Sequence, residues 1–152
     1  MDVDFIKNEI KLLLEGMGFG SDVEMINVHQ GAALRFSVYM RGKASMLIGE
    51  RGNNLVAVEH ILKKIVSKKR GEDEQRFTLD INDYRMKRLE DLKQDVKNAA
   101  REVLLYHRES SLRPMSSFER RIVHLLLAEY PDITTESIGS DLDRRVVIKP
   151  YP

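Results

Sequence analysis

The sequence contains no cysteine, few aromatic residues and no long apolar run. Without cysteine the chain can form no disulfide and offers no thiolate as nucleophile or metal ligand, which agrees with a reducing compartment. Its apolar runs are far shorter than the roughly 20 residues that a membrane-spanning helix needs. The acidic start at Met1 to Asp4 is not typical of a signal peptide. We therefore expect a cytoplasmic protein without membrane insertion.

The chain also lacks an overall excess of charge. A formal net charge of +1 over 152 residues excludes a uniformly basic nucleic-acid binder. The charges are nevertheless unevenly distributed, because residues 35–70 carry nine Lys or Arg against two acidic residues, whereas residues 1–34 carry six acidic residues against two Lys. The basic block predicts an anionic partner. A solvated face balanced by its acidic neighbours would give the same composition.

The periodic segments of the first half predict the order α-β-β-α-α-β. Asp2 or Asp4 can cap the first helix, and Asn53 or Asn54 can cap the last. The apolar face of that last helix is predicted to contain Leu55, Val58, Leu62 and Ile65. In chain order, the predicted segments after the first helix are strands over about residues 23–28 and 34–40, helices over about 43–48 and 53–69, and a strand over about 77–81.

The two central helices are separated by Ile48-Gly49-Glu50-Arg51-Gly52. Two glycines at this spacing indicate a backbone that turns tightly while another group approaches it closely. Backbone amides at the start of the following helix, with Lys43 and Lys63 among the nearby cations, suit a sugar-phosphate backbone. The alternative is a tight helix-to-helix turn without a ligand, because short glycine patterns recur by chance.

Residues 1–82, with this glycine turn between their central helices, resemble the prokaryotic-type KH domain. The resemblance implies that the turn clamps about four nucleotides of single-stranded RNA or DNA. Gly49 and Gly52 would let the phosphates approach, and Arg51 would supply positive charge. Glu50 departs from the pattern, because a carboxylate repels phosphate. Pairing of this surface with another KH surface is therefore an open alternative.

Residues 83–152 predict a second, helix-rich unit with a small sheet. Asn82-Asp83 is an N-cap signal for a long amphipathic helix, and Ser116-x-x-Glu119 is a capping box for a helix that continues to about Glu129. Two short strands over about residues 133–138 and 144–148 complete the chain. The apolar face of the long helix is predicted to contain Leu89, Leu92, Val96, Ala99, Val103 and Tyr106.

In the second of these helices Arg120 and His124 lie one turn apart, with Arg121 beside them. Such a group of donors suits phosphate. The alternative is an ordinary surface arginine next to a partly buried, hydrogen-bonded histidine. The opposite face of the helix is predicted to enter the core and carries Phe118, Ile122 and Leu125.

Five separated blocks resemble the bacterial Jag family, in which a KH domain precedes a small domain named for its Arg-x-x-x-His spacing. The blocks are Asp83-Tyr84-Arg85-x-x-Arg88, Pro114-Met115, the run from Glu119 to His124, Thr135-Glu136-Ser137-x-Gly139 and the run from Arg144 to Ile148. The resemblance implies an α+β fold of two small α/β domains, KH-like over residues 1–82 and of the Arg-x-x-x-His type over 83–152. It also implies a link to the membrane-protein insertase, to a smaller single-KH protein and to control of cell elongation.

These patterns favour a cytosolic regulatory protein that binds single-stranded RNA, with single-stranded DNA as a further candidate. The alternative is a protein-interaction adaptor that forms a homodimer or pairs with another KH protein or the insertase. No catalytic residue, metal or cofactor is predicted, because the four histidines show no metal-ligand spacing and the glycine turn lacks a Gly-Lys-Ser/Thr ending. The predicted RNA-binding residues are Lys43, Ile48, Gly49, Glu50, Arg51, Gly52, Lys63, Arg85, Arg88, Arg120, Arg121 and His124.

Overall fold

The structure is a computed structural model that describes residues 2–42 and 44–152. The chain divides into two compact units, Met1–Lys87 and Arg88–Pro152. Each unit combines helices with a three-stranded sheet, so the expected α+β class with two small α/β units is confirmed. The finer domain boundary, between Asn82 and Asp83, stays a prediction. In the described part of the chain no helix is long and apolar enough to cross a membrane.

The first unit has the expected element order. Its strand order is β1-β2-β3, with β1 antiparallel and β3 parallel to the central β2. The side chain of Asp2 accepts a hydrogen bond from the backbone N–H of Phe5 at 3.0 Å and so caps the first helix, as predicted. The elements are α1 (Val3–Gly16), β1 (Val23–His29), β2 (Leu34–Met40), α2 (Ala44–Ile48), α3 (Asn53–Arg70) and β3 (Phe77–Ile81).

The core of the first unit lies between one face of this sheet and the apolar faces of α1 and α3. Phe36 of β2 and Phe77 of β3 meet edge to face, with ring centroids 5.5 Å apart. On α3, Val66 is fully buried whereas Ile65 is half-buried, so the predicted place of Ile65 in the buried stripe is wrong by one position. The buried apolar residues of the two helices are Ile6, Ile10, Leu14, Leu55, Val58, Leu62 and Val66.

The predicted cap of α3 is wrong. The residue before the helix is Gly52, in a left-handed conformation and without a side chain to cap it. Asn54 instead donates from its side-chain amide to the carbonyl of Met46 at 2.8 Å, and so ties α3 to α2. Asn54 therefore makes a tertiary hydrogen bond in place of the local cap that the sequence predicted.

The predicted cap of α4 (Tyr84–Tyr106) is also wrong. The buried carboxylate of Asp80 accepts hydrogen bonds from the backbone N–H groups of Arg85 at 2.9 Å and Met86 at 3.3 Å. Asn82 pairs instead with the backbone of Met40, and Asp83 accepts from another side chain. The first turn of α4 is therefore held by the end of β3.

In the second unit, residues 88–106 of α4 are followed by β4 (Ser110–Ser111), α5 (Ser117–Leu127), β5 (Ile133–Ile138) and β6 (Arg145–Pro150). The strand order is β4-β6-β5, and both pairs are antiparallel. Ser116 caps α5 by accepting from the N–H of Glu119 at 3.2 Å, as predicted, although the helix ends before Glu129. The core is formed by α4, α5 and the inner sheet face and includes Leu92, Val96, Val103, Val123, Leu127, Val146 and Ile148.

The predicted inner face of α5 is wrong for Phe118 and Leu125, whereas Ile122 is partly buried against the second core, as predicted. Phe118 is 72% exposed and Leu125 66% exposed, whereas Val123 and Leu127 are buried. The helix carries apolar residues on two faces, and contact with the sheet buries the Val123 face. Tyr106, expected in the core, is also exposed, because it ends α4 beyond the last buried position at Val103.

Candidate nucleic-acid interface

The glycine turn is packed against the chain itself. Gly49 (φ 72°) and Gly52 (φ 76°) have left-handed backbones that suit glycine. A Cβ on Gly49 would lie 2.6 Å from Cγ of Asn54, and one on Gly52 would lie 2.8 Å from Cε1 of Tyr84. The close approach that the two glycines predict is thus made by the chain's own side chains.

The outward side of this turn carries one charge of each sign. Glu50 and Arg51 are both exposed, while Ile48 before the turn is half-buried against the first core. Arg51 has a left-handed backbone at φ 55°, which turns the chain between the two glycines. The electrostatic field at the turn is therefore mixed, and Arg51 supplies its cationic part.

Two predicted RNA-binding cations share one carboxylate. Glu59 on α3 accepts from Nη1 of Arg85 at 2.5 Å and lies 3.4 Å from Nζ of Lys63. Its Oε2 also accepts the backbone N–H of Leu79 at 2.9 Å. Glu59 therefore fixes both cations beside β3 and lowers their net charge. The third predicted cation of this group, Lys43, lies outside the described residues.

Arg88 forms a bidentate ion pair with Glu119. Its Nε lies 2.6 Å from Oε1 and its Nη2 lies 3.3 Å from Oε2 of that carboxylate. Such a planar pair fixes the orientation of both groups. The contact joins α4 to the first turn of α5, and it neutralises the carboxylate of the residue that precedes Arg120.

Arg120 and His124 are half-buried at one edge of the second core. Nη1 of Arg120 donates to the carbonyl of Met115 at 2.8 Å. The imidazole of His124 lies between two hydroxyls of β5, with Nδ1 2.6 Å from Oγ1 of Thr135 and Nε2 3.0 Å from Oγ of Ser137. Because a hydroxyl can donate or accept, this arrangement satisfies either tautomer of the ring.

The structure thus brings together Arg120, His124, Thr135 and Ser137 as one polar edge, which we call the Arg-His edge. Arg121 is exposed and lies one residue further round α5. The hydroxyls were not predicted as site residues. Their signal was the alternation of small hydroxyl residues along one face of the predicted strand.

The described residues contain no group of three or more His, Cys, Asp or Glu side chains that could hold a metal ion. The donors of the Arg-His edge are guanidinium, imidazole and hydroxyl groups. Guanidinium cannot ligate a metal but binds phosphate and carboxylate oxygens well. The edge is chemically suited to an anion.

Comparison with known protein families gives a match that contains this edge. Residues 87–150 match the Arg-x-x-x-His (R-three-H) domain family. The match agrees with the expected Arg-x-x-x-His domain, whose bounds at residues 83 and 152 stay a prediction, and we call residues 87–150 the Arg-x-x-x-His segment. Because the match begins at residue 87, the KH interpretation of residues 1–82 stays a prediction.

The chain is also similar to three proteins named RNA-binding protein KhpB. It is 32% identical over 136 residues to that of Lactiplantibacillus plantarum, covering 90% of this chain and 41% of the relative. It is 37% identical over 103 residues to that of Clostridium symbiosum, covering 68% and 46%. It is 37% identical over 108 residues to that of Bacillus subtilis, covering 70% and 51%. The chain thus spans about half the length, or less, of these relatives.

Proposed function

We propose that the chain is a cytoplasmic regulatory protein that binds single-stranded RNA through its Arg-x-x-x-His segment and its glycine turn. The observation that carries the proposal is the Arg-His edge, in which internal hydrogen bonds orient Arg120 and His124. The names of the relatives support RNA as the ligand. Since those names refer to binding and not to a reaction, we propose a binding protein and not an enzyme.

At the Arg-His edge, phosphate oxygens would be bound by donors that remain after the internal contacts are made. Arg120 uses Nη1 for Met115 and keeps further N–H groups, because a guanidinium has five donors. Arg121 is exposed and has no partner among the described residues, so it adds an unneutralised charge beside the edge. Such contacts position a strand without reading its bases.

In the first unit we propose a KH-type contact at the turn from Ile48 to Gly52. The α-β-β-α-α-β order and the mixed three-stranded sheet support this interpretation. Arg51 would attract phosphate and Glu50 would repel it, so the turn should contribute modestly. Lys63 and Arg85 would donate to phosphate from the N–H groups that are not used in their pairing with Glu59.

Fluorescence anisotropy of a labelled random single-stranded RNA tests both surfaces. Arg121→Gln should weaken binding about 5-fold or more, as expected for loss of a charged hydrogen bond, and Arg51→Gln should have a smaller effect. The matched controls are Arg101→Gln, at an exposed position of α4, and Arg76→Gln, at the exposed position just before β3. Each removes the same charge elsewhere. A wild type that binds no RNA at low salt, or equal losses in all four variants, would contradict the proposal.

A second candidate function is pairing with another KH surface, either in a homodimer or with a smaller KH protein. The observation that favours it is apolar exposure on the helices that flank the turn, with Met46 60% and Val56 57% exposed. Sedimentation velocity would show a dimer that Val56→Lys dissociates. A wild-type monomer at all accessible concentrations would exclude the homodimer. The link to the membrane-protein insertase stays a prediction from the resemblance.

A further inference from the structure

The outward face of α5 carries a short row of exposed side chains. Phe118, Arg121 and Leu125 follow one another at steps of three and four residues and therefore lie on one side of the helix. Phe118 is 72% exposed, Leu125 is 66% exposed, and Arg121 lies between them in sequence. We call this row the outer row. It is separate from the buried face of Val123 and Leu127.

Within α5, no acidic side chain without an ion-pair partner lies near the outer row. The helical neighbours of Arg121 at three and four residues are Ser117, Phe118, His124 and Leu125, none of them acidic. The one carboxylate in α5, Glu119, is held by Arg88 at 2.6 Å. Arg121 therefore keeps its full charge beside an aromatic ring.

This chemistry distinguishes a nucleotide from other occupants. An exposed aromatic ring next to an arginine without a carboxylate partner among the described residues offers a stacking surface for a flat base and a charge for its phosphate. A partner helix would require a longer apolar face, whereas the outer row has two apolar residues separated by a cation. The Arg-His edge lies one residue further round the same helix, where it would bind a neighbouring phosphate.

We propose that the outer row is a base-stacking platform, on which a base of single-stranded nucleic acid stacks against Phe118 and packs on Leu125 while Arg121 binds its phosphate. The inference rests on the proposed function and adds to it. The Arg-His edge alone would hold only the backbone. The outer row would give the Arg-x-x-x-His segment a contact with the bases themselves, tolerant of sequence because every base has an aromatic face.

The first test uses the absence of tryptophan from the chain. A Phe118→Trp variant places a single fluorophore on the outer row, and Leu105→Trp places one at a similarly exposed position of α4. Saturating oligouridine should quench the fluorescence of Phe118→Trp and leave that of Leu105→Trp nearly unchanged. Equal quenching, or none in either variant while anisotropy shows binding, would overturn the inference.

The second test compares oligouridine with a sugar-phosphate oligomer of the same length that lacks bases. Phe118→Ala should weaken binding of oligouridine about 5-fold or more and leave binding of the abasic oligomer unchanged, while Phe118→Tyr should retain wild-type affinity. If Phe118→Ala weakens both ligands equally, the ring has a structural role and the inference is wrong.

The remaining outcomes separate the two proposals. If the wild type binds RNA and Phe118→Ala binds it equally well, the outer row is not a binding surface, although the proposed function stands. If the wild type binds no RNA, both proposals fail. If sedimentation shows a wild-type dimer that Phe118→Ala dissociates, the outer row is an interface between copies of the chain and the stacking inference is wrong.

Discussion

Replacing Gly52 with alanine tests whether the glycine turn is held by internal packing. At φ 76° and ψ 14° the residue is left-handed, which costs a non-glycine residue roughly 1–2 kcal/mol. The new Cβ would also lie 2.8 Å from Cε1 of Tyr84. Gly52 is buried, so the ring must shift in a packed site, and overpacking of this kind costs typically about 1–3 kcal/mol. We expect Gly52→Ala to lower the free energy of unfolding by about 2–5 kcal/mol.

The matched control is Gly42→Ala, because Gly42 has a similar backbone at φ 67° and nothing within 4 Å of an added Cβ. It should show the backbone cost alone. Urea unfolding followed by circular dichroism measures both variants, and the contact with Tyr84 should add at least about 1 kcal/mol to the loss in Gly52→Ala. Combining Gly52→Ala with Tyr84→Ala should give less than the sum of the single losses. Equal destabilisation of Gly42→Ala and Gly52→Ala would refute the packing argument.

Two further predictions concern the start of α4. Asp80→Ala should destabilise the fold by about 2–4 kcal/mol in urea unfolding, because the N–H groups of Arg85 and Met86 lose a buried acceptor; a loss no larger than that of Asp83→Ala would contradict this. The hydrogen bond from Tyr39 to Asp83 raises the pKa of the Tyr39 phenol above its ordinary value. The protonated phenol therefore stabilises the fold below the unfolded-state pKa of about 10, and this contribution is lost as pH rises through the higher folded-state pKa. Tyr39→Phe should reduce that alkaline loss of stability in urea unfolding at a series of pH values, and an unchanged pH profile would count against the bond.

Element types and order, apart from the two-residue strand β4 that was not predicted, could be predicted because they depend on local periodicity. Apolar residues at steps of three and four define α1 and α3, and alternation along β2 places Phe36 and Val38 on its buried side. The strand Ile133–Ile138 has the same bounds in the structure as in the prediction. A chain in which local pattern and tertiary packing agree can be read to this level from its sequence.

Helix caps could not be predicted in the same way. Asn54 and Asn82 are good capping residues, but each has a tertiary partner in the structure, the carbonyl of Met46 and the backbone of Met40. The cap of α4 comes from Asp80, whose side chain is buried inside the unit. A local rule ranks candidates by chemistry, whereas the fold selects among them by which backbone groups lie within reach.

The prediction of which face of α5 is buried was wrong for a related reason. Periodicity permits either the Phe118 face or the Val123 face to be buried, and the choice depends on where β5 lies. The hydroxyls of Thr135 and Ser137 hold His124 against that strand, and the neighbouring Val123 is buried in the core. The sequence predicted the pair of Arg120 and His124, but the partners that orient the ring follow only from the sheet.

Counting cations in the sequence overstates the positive charge available to the proposed RNA ligand. Arg85 shares Glu59 with Lys63, and Arg88 is paired with Glu119, so the charge of these three predicted RNA-binding cations is partly neutralised within the chain. The same ion pairs restrict the rotamers of these side chains. Phosphate binding there therefore loses less side-chain conformational entropy than binding to an unpaired lysine. With a net charge of +1, the chain cannot depend on its overall field to attract RNA. Affinity should therefore come from a few oriented donors and from exposed groups such as Arg121, which is why single substitutions at those positions should have measurable effects.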